Sequence, residues 1–169
     1  MSQEKFCIDG ALLDRAEELI QRLRALQMTV VTAESCTGGL IAACLSHAPG
    51  ASDSLHGGFV VYTKESKSQS LGLSRELLDQ CGTVNARVAH ELASGALERS
   101  SADISLSVTG VLGPTPDEDG NPPGQVYFGV LRRGHESRVL SQHFTQEDPH
   151  EVRRAVVLRA LELLREATG

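Results

Sequence analysis

The stretch Thr32-Ala33-Glu34-Ser35-Cys36-Thr37-Gly38-Gly39 is more polar and glycine-rich than its place between two apolar segments requires. A strand that ends in hydroxyls and opens a helix through two glycines aims free backbone N–H groups and the positive end of a helix dipole at one spot. Gly38 and Gly39 let a ligand approach the backbone closely, so an anion or a developing oxyanion is stabilised there. The same residues also make an ordinary capped helix start, with Ser35 or Thr37 as N-cap. A second stretch, Tyr62-Thr63-Lys64-Glu65-Ser66-Lys67, stands at the end of another strand. Lysines there are commonly solvated, but one pushed toward neutrality by burial or a neighbouring cation serves as base to a serine nucleophile. Lys64 and Lys67 are close enough to repel, which favours the neutral form of one of them. A third stretch, Val108-Thr109-Gly110-Val111-Leu112-Gly113-Pro114, follows a third strand and opens a long loop. Such a loop is either a long turn or a functional one, and ligands in open α/β sheets gather beyond the carboxyl ends of strands.

Cys36 is a rival nucleophile beside Ser35, since a helix N-terminus lowers a thiol pKa. His47, His56, His90, His135, His143 and His150 are scattered without metal-ligand spacing, so neither a metal site nor any cofactor is expected.

The elements that position these stretches follow from periodicity. Leu12, Leu13, Ala16, Leu19, Ile20, Leu23 and Leu26 predict a helix over 11–26. Met28–Val31 reads as a strand, Leu40–Leu45 as a helix and Phe59–Thr63 as a second strand. Leu71–Gln80 reads as a short helical piece with Ser74 as N-cap, and Ala86–Arg99 as a long helix. Ile104–Thr109 alternates as a strand does, and Gly110–Gly124 is loop. Gln125–Leu131 and Ser137–Phe144 pair as a hairpin before a closing helix from Pro149 to Glu166. Helices alternating with strands, then a hairpin, predict a three-layer α/β/α sandwich with a mixed, mostly parallel five-stranded sheet and a C-terminal antiparallel hairpin. No linker divides residues 1–169, so one domain is expected.

Composition excludes several classes. A net charge of −6 and 4% aromatic residues argue against a nucleic-acid partner, which needs a basic face and stacking platforms. No apolar run approaches the roughly 20 residues of a membrane span. The start, MSQEKFCIDG, has no apolar signal region, so a cytoplasmic location is expected. Cys7, Cys36, Cys44 and Cys81 then read as reduced thiols.

TAESCTGG, then GGFVVYTKESK, then SVTGVLGP with PPGQVYFGV downstream resembles the CinA C-terminal family in its nicotinamide-nucleotide amidase branch. The likeness runs over nearly the whole chain, including a closing helix with the paired Arg153 and Arg154. Departures from the family's pattern are Lys64 for Asn, Ser66 for Ala, Leu112 for Ala, Pro123 for Val, Gln125 for Thr and Asn85 for Ser. The resemblance implies a metal-free amidohydrolase that deamidates nicotinamide mononucleotide, with this small-molecule nucleotide as its partner and a homodimer as its assembly. It implies Ser35 as nucleophile, Lys67 as general base and Tyr62 as relay or orienting group. It further implies that Cys36, Thr37, Gly38, Gly39, Thr109, Gly110 and Gly113 line the substrate pocket, with Arg153 for the phosphate. The alternative is a CinA-type module that binds the nucleotide or a partner without turnover.

Overall fold

The computed structural model describes residues 8–169; Cys7 and most of the start read for an export signal lie outside the described residues. Five strands form one sheet in the order β2-β1-β3-β4-β5: β1 (Val30–Glu34), β2 (Leu55–Val60), β3 (Ile104–Gly110), β4 (Gln125–Arg132) and β5 (Arg138–His143). β1 pairs in parallel with β2 and β3, while β4 runs antiparallel to β3 and β5. The expected mixed sheet with a closing hairpin is therefore present. Helices α1 (Gly10–Ala25), α2 (Leu40–His47) and α6 (Pro149–Ala167) cover one face, packing on Val30, Ile104, Leu106, Val108 and Phe128. Helices α3 (Lys64–Leu71), α4 (Arg75–Cys81) and α5 (Ala86–Glu98) lie over the other face, against Val31, Ala33 and Val61.

The differences from the periodicity reading fall where the site is. β1 runs on through Thr32, Ala33 and Glu34, all fully buried. It is flanked by strands on both sides and covered on both faces, so its polar residues survive as strand only because hydrogen bonds satisfy them. β2 starts at Leu55 rather than Phe59, with Gly57 and Gly58 in its middle hiding the pattern. A Cβ on Gly58 would sit 2.6 Å from Thr32 Oγ1 and 3.0 Å from Ala42 Cβ, so the glycine is what lets this edge strand pass under α2. α3 falls in a stretch to which periodicity assigns no element, since KESKSQSL carries little apolar surface. Its start is held instead by a reciprocal cap: Thr63 Oγ1 accepts the Ser66 N–H at 3.0 Å, and Ser66 Oγ accepts the Thr63 N–H at 3.1 Å.

The polar half of β3 does not face water. Ser105, Ser107 and Thr109 are buried, and their hydroxyls donate to the carbonyls of Ala93 (2.7 Å), Ala89 and Thr83 (2.7 Å). Those hydroxyls dock α5 and the segment before it onto the sheet. Gly129 on β4 makes the docking close, since a Cβ there would meet the Ala89 carbonyl oxygen at 2.4 Å and Ser107 Oγ at 2.7 Å. Gly129→Ala therefore overpacks the layer and costs about 1–3 kcal/mol. In a protein of this size that lowers Tm by roughly 2–4 °C per kcal/mol. Thermal unfolding of the variant measures it, and an unchanged Tm would contradict the close approach.

Candidate active site

The carboxyl ends of β1, β2 and β3 converge, and all three polar stretches meet there. Ser35 continues β1 by one residue and donates its backbone N–H to Val108 O of β3 at 3.1 Å. Glu34 O accepts the Val61 N–H at 2.9 Å, which brings the end of β2 alongside. Lys67 lies on the first turn and a half of α3. Helical side chains lean toward the N-terminus, so its amine reaches back to the residues that precede the helix.

Lys67 Nζ lies 2.9 Å from Ser35 Oγ, 2.9 Å from Val61 O and 3.0 Å from Tyr62 O. Lys67 is only 1% exposed, and among the described residues no carboxylate pairs with it. Burial pulls its pKa down from the ordinary lysine value to about 8. The cause is desolvation and not the repulsion expected from Lys64, whose ammonium lies 3.5 Å from the Asp79 carboxylate.

The hydrogen inventory around Nζ suits both charge states, and burial makes the neutral one reachable near pH 8. Carbonyl oxygens only accept, so Val61 O and Tyr62 O take two N–H donors whatever the charge. An ammonium spends its third hydrogen on Ser35 Oγ. A neutral amine has two hydrogens and one lone pair, and that lone pair is left facing the Ser35 hydroxyl. Once deprotonated, Lys67 thus sets a free lone pair beside the Ser35 O–H.

Cys36 is partly exposed and its thiol is free. Burial of the thiol, with the Glu34 carboxylate adding, pushes its pKa up to about 12, so it stays protonated near neutrality. The helix N-terminus expected to activate it is already occupied. Glu34, fully buried, accepts the N–H groups of Ile41 (3.0 Å) and Ala42 (2.8 Å) from the first turn of α2. Neither Ser35 nor Thr37 is the N-cap; that position is Gly39, which has no side chain to cap with. Gly38 (φ 60°) and Gly39 (φ 96°) are both left-handed, a pair of conformations that side-chain-bearing residues rarely adopt.

Ser35, Cys36, Tyr62, Thr109, Gly110, Gly113 and Arg153 line one cavity of about 740 Å³. Cys36, Thr37, Gly38, Gly39, Tyr62 and Arg153 line an adjoining one of about 380 Å³. Every residue expected at the site borders one of the two cavities except Lys67, which lies behind Ser35. Three of them also have contacts that the sequence reading did not anticipate. Tyr62 meets Lys67 through its carbonyl, with a side chain 73% exposed. Thr37 turns its hydroxyl inward to Glu34 Oε2 at 2.7 Å, and Thr109 gives its hydroxyl to Thr83 O. Of the departures, Lys64 and Leu112 border the larger cavity, while Asn85 caps α5 by accepting the Val88 N–H at 2.9 Å. The periodicity reading missed Glu34, the two carbonyls on Lys67 and the Asp117–Asp119 wall of the cavity. Only the glutamate carried a signal, as a charge between the apolar runs Met28–Val31 and Leu40–Leu45. Among the described residues no group of three or more His, Cys, Asp or Glu side chains is placed to hold a metal ion, and no helix is long and apolar enough to cross a membrane.

A family model for the CinA C-terminal domain matches residues 13–168. The chain belongs to that family. As a CinA C-terminal domain it is 36% identical over 156 residues to the nicotinamide-nucleotide amidohydrolase PncC of Escherichia coli, a match covering 92% of this chain and 94% of that protein. It is 40% identical over 131 residues to a CinA-like protein of Leptospira borgpetersenii, covering 78% of this chain but 31% of the relative. The chain thus spans about a third of the length of such longer relatives. Among solved structures, a competence/damage inducible protein from Agrobacterium tumefaciens superposes with a TM-score of 0.91 at 34% identity, over 100% of both chains. A CinA superfamily protein from Escherichia coli does so with 0.88 at 34% identity, over 99% of both.

Proposed function

We propose that this CinA C-terminal domain is an amidohydrolase that converts nicotinamide mononucleotide to nicotinate mononucleotide and ammonia through a Ser35–Lys67 pair. The observation that carries the reading is the buried Lys67 amine 2.9 Å from Ser35 Oγ at the edge of a cavity large enough for a nucleotide. A pure binding site has no need of a lysine buried behind a serine.

Neutral Lys67 takes the Ser35 proton as Oγ attacks the carboxamide carbon. The tetrahedral oxyanion is held by N–H groups of the Cys36–Gly39 turn, where those of Thr37 and Gly39 have no acceptor among the described residues. Protonated Lys67 then gives its proton to the departing nitrogen, which leaves as ammonia and breaks the C–N bond. Water, deprotonated by the same amine, hydrolyses the Ser35 ester and releases the carboxylate. Asp117, Glu118 and Asp119 on the cavity wall offer negative charge to the cationic pyridinium ring. Arg153 borders both cavities and is the group for the phosphate.

The substrate is tested by comparing nicotinamide mononucleotide with free nicotinamide. The nucleotide is expected to react with much the higher kcat/KM. Arg153→Ala is expected to raise KM for the nucleotide by about 10- to 100-fold, the worth of a charge-assisted hydrogen bond, without changing turnover of free nicotinamide. Equal use of both amides by the wild type would remove the nucleotide from the reading. Firm binding of the nucleotide with no ammonia would favour the non-catalytic module instead.

A further inference from the structure

Glu34 has no part in the chemistry above, yet it is the most heavily hydrogen-bonded side chain near Ser35. Its carboxylate is fully buried and accepts four donors: Thr32 Oγ1 at 3.1 Å, Thr37 Oγ1 at 2.7 Å, and the Ile41 and Ala42 N–H groups. None of the four is a cation, so only hydrogen bonds and the α2 dipole offset the burial of the charge. Capping α2 alone has a simpler solution, a Ser, Thr or Asp at the N-cap position. This chain instead places a left-handed glycine there and reaches back from β1 with a glutamate. What Glu34 adds beyond a cap is the bond to Thr37, in the middle of the turn that follows Ser35.

We propose that Glu34 is a positioning residue which, through Thr37, locks the Ser35–Gly39 turn so that Ser35 and the turn's N–H groups hold one fixed relation. The lock spans the turn from both sides. Glu34 is joined to Ser35 by the peptide bond and to α2 by its carboxylate, while Thr37 ties the intervening loop to the same carboxylate. The Gly38 N–H to Ser35 O bond at 3.1 Å closes the turn on itself. With both α2 donors consumed by Glu34, the oxyanion donors have to come from the turn, so its shape sets the alignment of nucleophile and donors. The negative charge has a second consequence: it helps keep the neighbouring Cys36 thiol protonated, leaving the serine as the reactive group.

This inference rests on Ser35 being the nucleophile proposed above. Its test uses Thr37→Val, which removes one donor to Glu34 and nothing from the strand, with Thr37→Ser as the conservative rescue. Two readouts are taken on the full chain: kcat and KM for nicotinamide mononucleotide, and the rate at which an aryl sulfonyl fluoride labels Ser35, followed by mass spectrometry. Thr37→Val is expected to lower kcat and the labelling rate by on the order of 10²-fold, the effect of about 1 Å of misplacement, with KM little changed. Thr37→Ser is expected to restore both. A lowered Tm with wild-type kcat and labelling rate in the folded protein would overturn the proposal and leave Glu34 a simple cap, while the amidase reading stands. Slowed labelling in a protein whose wild type does not hydrolyse the nucleotide would support the lock while the amidase reading falls.

Discussion

Ser35→Ala is expected to lower ammonia release from nicotinamide mononucleotide by on the order of 10⁴-fold or more, the scale seen when an enzyme loses its nucleophile. The variant is expected to fold and to keep its affinity for the nucleotide. Ser35 Oγ makes one hydrogen bond to Lys67, whose amine retains the carbonyls of Val61 and Tyr62. The backbone N–H of Ser35 still holds Val108 O, so the end of β1 does not move. Cys36→Ala, by contrast, is expected to go on releasing ammonia, because a thiol held near pKa 12 supplies almost no thiolate at neutral pH. Steady-state assays of the two variants decide between the neighbours. Turnover surviving Ser35→Ala but lost in Cys36→Ala would reverse the assignment.

The second large effect belongs to Lys67. The pair works only with a neutral amine, and burial sets that group's pKa at about 8. Hence kcat/KM is expected to rise about tenfold per pH unit from pH 6 and to level off above about 8, reporting the base of the free enzyme. Lys67→Met, close in volume, is expected to lower turnover by about 10²–10⁴-fold and to abolish that rise. Stability carries the same sign. Below about pH 8 the lysine is charged in both states and the folded state bears the cost of burying it. Between about 8 and the ordinary value of 10.5 the folded protein sheds the proton first. This group's contribution to stability therefore grows with pH across that window and is lost as pH falls through 8. Lys67→Met is expected to remove that growth from the pH dependence of chemical denaturation. A flat pH–rate profile between 6 and 9 would mean that Lys67 is not the base.

The helices and the closing hairpin were legible because their apolar faces have long, regular periods: α1, α5 and α6 start and stop within a residue or so of the pattern. The site was legible as three polar stretches at strand ends, since glycines and hydroxyls there interrupt apolar runs. What was not legible lies in bonds that sequence distance does not show. Thr32 and Glu34 are strand residues because Glu34 accepts the Thr32 and Thr37 hydroxyls and the N–H groups of Ile41 and Ala42, seven and eight positions away. α3 is a helix because Thr63 and Ser66 cap each other, not because of an apolar stripe. Lys67 is perturbed by burial, which a pattern of neighbouring lysines misattributed to Lys64. The backbone carbonyls that prepare its lone pair leave no mark in side-chain chemistry at all.

The most direct test is to incubate the purified protein with nicotinamide mononucleotide and a chelator, and to quantify ammonia and nicotinate mononucleotide together. The Ser35–Lys67 mechanism predicts equimolar formation of both, undiminished by the chelator. Folded protein that binds the nucleotide but forms neither product would contradict it.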